Sequence, residues 1–267
     1  MVDEASGCRV ELRLGRHSSA RHLSVLASVD ERRIASPGRN PFAPKGSPLI
    51  DPPKAPPPNQ LAEAFVASLR GGIPKLGHSE LAIVKRSGKS AKGATTRHDV
   101  DLQLPPCRPD VLQYLANMMM CSAGRNGTTD IAITETGSQD LEQFDQDSIR
   151  TTTSMPKIAF GFVRSSRDVV KMGSLNIRFR AEITPSCSDD LERAVRAWFG
   201  IVGNGGFVVS CAGGFSAGTL GDIVDAYPDE WIAHFEGLFV DDAACAPLLQ
   251  RLADIHAASP IVEVSLR

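Results

Sequence analysis

The chain has 267 residues, 42% of them hydrophobic and 22% charged, with a formal net charge of −2. That length suffices to bury a core without metals or disulfides, and so balanced a charge excludes a broad field able to gather nucleic-acid backbones or an anionic membrane surface. No apolar run approaches the ~18 residues of a membrane span, and the first twenty residues lack the apolar core of a signal peptide, so the expected setting is the cytoplasm.

In chain order, "CRVELRL" and "HLSVLASV" alternate as strands do. The proline-rich stretch at residues 35–59 follows, where fixed φ angles and missing donors rule out helix or sheet. Asn59 is placed to cap a helix over "QLAEAFVASLR", in which Leu61, Phe65 and Leu69 share a face and Gly71-Gly72 ends the run. The lysine- and arginine-rich "KRSGKSAKG" reads as a solvated hairpin turn. It carries the Gly-Lys-Ser of a phosphate loop, but the glycine required five residues before Gly88 is Ile83.

A helix over residues 109–122 carries Leu112, Leu115 and Met119 on one stripe. An acidic and then threonine-rich stretch at 137–155 reads as a linker between two domains, 1–136 and 156–267. Beyond it, Leu191, Val195, Trp198 and Val202 mark a helix over 189–203, with Asp189 and Glu192 in capping-box spacing. Residues 207–212 read as a strand and "TLGDIVDAY" as a short helix. "EWIAHFEGLFV", "AACAPLLQRLADIHA" and "PIVEVSLR" then close the chain as strand, helix and strand.

Residues 81–134 and 158–212 share a spacing of strand, loop, alternating strand, proline, helix, turn and strand, which predicts an internal duplication. Both halves read β-β-α-β-β-α-β. Single helices between short strands point to α+β architecture, here two tandem ferredoxin-like domains with mostly antiparallel sheets.

Three patterns have a chemical reading. Gly214-Phe215-Ser216-Ala217-Gly218 fits the G-x-S-x-G turn that exposes a nucleophilic serine, with His234 and His256 the histidines downstream. With 23 glycines in the chain the match is weak, and a turn that merely requires glycine is the preferred reading, leaving a hydrolase built on Ser216 and His256 as the alternative. His78-Ser79-Glu80 with Pro106-Cys107 resembles part of a zinc deaminase signature, but position 110 is Asp110 where a second cysteine is needed and Cys121 lies too far along. No metal or other cofactor is expected. The six cysteines include no C-x-x-C pair and read as reduced, partly buried thiols.

The layout of "NPFAPKGSPLIDPPKAPPPNQLAEAFVASLRGG", with strands before it and a hairpin after it, resembles small α+β immunity proteins of bacterial polymorphic-toxin systems. The resemblance covers the first half of the chain. It implies a non-catalytic protein that binds a toxin through an exposed, often acidic surface, for which Asp140, Glu142, Asp145 and Asp147 are the candidate residues.

Overall fold

The computed structural model describes residues 8–15, 21–31, 55–136, 141–144, 155–164, 169–207, 218–239 and 241–267. The first sheet is built from β1 (Arg9–Gly15), β2 (Arg21–Asp30), β3 (Ile83–Lys92), β4 (Thr95–Leu104), β5 (Thr128–Glu135) and β6 (Leu141–Phe144), with α1 (Pro58–Arg70) and α2 (Pro109–Asn126) between its strands. The second comprises β7 (Gly161–Arg164), β8 (Val169–Phe179), β9 (Thr219–Tyr227), β10 (Glu230–Phe239) and β11 (Ile261–Leu266), with α3 (Pro185–Val202) and α4 (Asp242–Ala258).

Strand order is β3-β4-β2-β5-β1-β6 in one sheet and β7-β11-β8-β10-β9 in the other. Within the first, β2 pairs antiparallel with β4 and β5, and β3 pairs antiparallel with β4. Within the second, β8 pairs antiparallel with β10 and β11, and β9 with β10. Each set is a ferredoxin-like arrangement of two interleaved βαβ units, so the α+β tandem stands. Each also gains one parallel pairing, β1 on β5 and β7 on β11.

The alternation in the sequence explains the strands. Along β2 the residues from Arg21 to Val29 are buried at every second position, because period-2 side chains send one set to the core. Helix α2 stops at Gly127, which takes φ 74° and caps the helix through its N–H to the Ala123 carbonyl. A residue with a Cβ adopts that conformation at a cost. The inner faces of both sheets and all four helices contribute to one contiguous hydrophobic cluster, with α1 packed against α3 and α3 against α4.

Several local expectations are corrected. "TLGDIVDAY" is the edge strand β9, since Thr219–Tyr227 finds ladder partners on β10. "KRSGKSAKG" lies mostly in strand β3, and the turn itself is at Gly93-Ala94, where Gly93 takes φ 64°. Pro57, not Asn59, precedes α1, with no side-chain cap. Helix α3 begins at Pro185, four residues before Asp189, and Thr184 caps it by accepting from the Cys187 N–H at 3.3 Å. Phe207 ends a turn, and the rest of the expected strand at 207–212 lies outside the described residues. Within the expected linker, β6 pairs antiparallel with β1.

The duplication holds at a different phase from the one the spacing suggests. Strand order matches β1-β2-α1-β3-β4-α2-β5 to β7-β8-α3-β9-β10-α4-β11. Helix α2 at 109–126 therefore corresponds to α4, and α1 corresponds to α3.

Cys8, Cys107, Cys187 and Cys245 are buried thiols, whereas Cys121 is disulfide-bonded, which corrects the all-thiol expectation. Burial pushes the Cys245 thiol up to about 12, partly opposed by Arg164 and aided by Asp242 and Asp241. It is a core residue rather than a nucleophile.

Candidate binding groove

Helices α1 and α3 approach closely because small residues line their contact. A Cβ on Gly71 would collide with that of Ala197, and one on Gly200 would lie 2.5 Å from Ser68 Oγ. Over this crossing lies an open groove of about 820 Å³, completed by the first residues of β3. It is lined by the small residues Ala64, Ala67, Ala197 and Gly200 and by Ile83 and Val84, together with Arg70, Arg193, Arg196 and Glu63.

The guanidinium of Arg193 reaches Asp190 at 3.0 Å and that of Arg196 reaches Glu192 at 2.6 Å, all on α3. Both arginine side chains remain more than half exposed, so these pairs hold them weakly. The groove combines an apolar lining with cationic side chains. Its one hydroxyl, Ser68 Oγ, donates to the Ala64 carbonyl at 2.8 Å.

The residues singled out from sequence do not converge. Ser216 lies outside the described residues, as do Asp140, Asp145 and Asp147. Glu142 is on β6, at the opposite sheet edge from β3 and hence from the groove, and its side chain is outside the description. His234 is exposed on β10, between the inward-facing Ala233 and Phe235, so it points away from the helices. His256 belongs to α4. Its Nδ1 accepts the Ile261 N–H at 3.0 Å, and its ring tilts against Phe160 with centroids 5.4 Å apart. The two histidines thus sit on different faces of the second sheet, with His256 tying the last turn of α4 to the start of β11.

His78 is exposed before a 3-10 turn at Ser79–Leu81, its Nδ1 3.4 Å from Glu80 Oε1, while Cys107 is buried. The Cys107 carbonyl accepts from Arg21 Nε at 2.9 Å, and Arg21 also meets Glu135 at 2.5 Å. That ion pair is almost fully buried and clamps the start of β2 to the end of β5. Among the described residues no group of three His, Cys, Asp or Glu side chains gathers as a metal would require.

Sequence reasoning missed the groove. Its signal was faint: small residues at Ala64, Ser68 and Gly71, and at Ala194, Ala197 and Gly200, follow helical spacing that suits close helix contact. An Arg-x-x-Arg pair at 193 and 196 falls beside them.

No family model and no curated protein matches the chain. Among solved structures, it is similar to an unknown protein from Galdieria sulphuraria at 7% identity and a TM-score of 0.22, covering 93% of this chain and 98% of that one. It is likewise similar to a protein described as a candidate glycine cleavage system transcriptional repressor, with 7% identity, TM-score 0.22, and 93% and 96% coverage. A third likeness is to the periplasmic protease PqqL from Escherichia coli, at 9% identity and TM-score 0.21, covering 95% of this chain and 36% of the protease. At these identities and scores the likenesses bring no activity to this chain.

Proposed function

We propose that the chain is a non-enzymatic binding protein that docks a protein partner in the groove between α1 and α3. The observation that carries this reading is the groove itself, open, lined by small apolar residues and by weakly held arginines. The N-terminal layout adds a class of partner, a bacterial toxin neutralised by occupation rather than by turnover. Asp140, Glu142, Asp145 and Asp147 would offer it a second, acidic contact. No helix among the described residues is long and apolar enough to cross a membrane. A cytoplasmic setting belongs to the same proposal, and there the Cys121 bond would be open to reduction.

The test pairs affinity capture with active-site labelling. The full chain should retain a partner from its host at near-equal stoichiometry, and Ala67→Trp, which fills the groove, should release it while keeping the melting temperature. A fluorophosphonate probe should leave the wild type unlabelled. Labelling that disappears in Ser216→Ala would replace this reading with a serine hydrolase.

A further inference from the structure

Resting on the reading of the groove as a docking surface, we infer that its occupant is an acidic amphipathic helix of a partner protein. Charge supports this first. The lining holds three arginines against the single acid Glu63, although the chain as a whole carries a net charge of −2. The cationic surface continues onto β3, where Lys85, Lys89 and Lys92 are exposed and Ile83–Lys92 contains no acid.

Geometry selects a helix. Ala64, Ala67, Ala197 and Gly200 put no large side chain into the groove, so the apolar stripe of a helix can settle over the α1–α3 crossing with its polar flanks beside the arginines. An extended strand adding to the free edge of β3 would have to pass its lysines, the residues that guard sheet edges against such pairing. A single-stranded nucleic acid would find no aromatic ring in the lining on which to stack.

The arginines are also ready to exchange partners. Asp190 and Glu192 hold Arg193 and Arg196 in exposed pairs along one helix, and such pairs are individually weak. Carboxylates on the flank of an incoming helix can take their place with little loss, and Arg70, exposed in the last turn of α1, is set to meet the other flank.

The test uses two fluorescein-labelled peptides of about 15 residues, long enough to span the groove as a helix. Both carry leucines at i, i+3, i+4 and i+7, one with flanking glutamates and its twin with lysines. By fluorescence anisotropy the full chain should bind the glutamate peptide saturably and at least about tenfold more tightly than the twin. Arg193→Glu with Arg196→Glu should reverse that preference, and Ala67→Trp should weaken both peptides, each variant keeping the wild-type melting temperature. Equal binding of the two peptides, a preference unmoved by charge reversal, or no saturable binding of the glutamate peptide would overturn the inference. In the last case a native partner still released by Ala67→Trp would leave the docking reading standing.

Discussion

Gly200 on α3 rests against Ser68 on α1 so closely that an added Cβ would fall 2.5 Å from the serine Oγ but 3.9 Å from its Cβ. Reciprocally, Gly71 on α1 rests against Ala197 on α3. Two glycines, one in α3 and one capping α1, thus set how closely the two helices approach.

The hydroxyl is what excludes a side chain at position 200, so the contact yields a double-mutant prediction. Gly200→Ala should cost about 1–3 kcal/mol, the usual range for overpacking. Adding Ser68→Ala should recover most of that loss, at the minor expense of the Ser68 bond to the Ala64 carbonyl at 2.8 Å. Urea denaturation of the four proteins in the cycle measures the coupling. Additive losses would mean that the helices do not meet here.

The buried Arg21–Glu135 pair leads to a second expectation. Arg21→Met removes the guanidinium that Arg21 brings to Glu135 and strips a donor from the Cys107 carbonyl. A loss of about 3–5 kcal/mol is expected, and replacing Glu135 by Leu in the same chain should recover a substantial part. Guanidinium denaturation of single and double variants decides it.

His98 supplies a pH dependence. It is buried on the inner face of β4 with Nδ1 unpartnered, and burial lowers its pKa from 6.5, with Lys89 adding to the effect. The unfolded chain therefore takes up the proton more readily than the folded one. The stability that neutral His98 permits is complete above about pH 6.5 and is lost as pH falls through the lower folded value. Chemical denaturation at a series of pH values should show stability declining below neutrality, with a shallower decline in His98→Leu.

Cysteine reactivity gives a fourth check. Cys245 is 1% exposed, with its thiol pushed up to about 12, so it should resist alkylation in the native protein and react on unfolding. Cys121 should stay unmodified even in denaturant until a reductant is added. Peptide mapping by mass spectrometry after alkylation reads both. Rapid native labelling of Cys245 would contradict its burial.

Much of the fold was readable because alternation and helical stripes are local. β2 and β4 declare their buried faces residue by residue, and α3 does so through Leu191, Val195, Trp198 and Val202. Spacing alone gives the wrong phase, matching α2 to α3, because in a fold of interleaved βαβ units each strand-helix-strand run looks alike, whereas the β-β-α-β-β-α-β order of the two halves gives the right one. β9 was misread because an edge strand paired on one side, with irregular register at its bulges, loses clean alternation. The groove could not be read at all as a motif. Ala64 and Ala67 meet Arg193 and Arg196 only after folding, when the repeat brings α1 and α3 together.

The single hydrophobic cluster runs from Leu12 on the first sheet through Trp198 to Leu266 on the second. Unfolding of the two repeats is therefore expected to be coupled. Cut between them, each half would present the helix face that the other now covers, and the intact chain should melt in one calorimetric transition. The ancestral single repeat, if it ever lived alone, would have needed a second copy of itself across that same face.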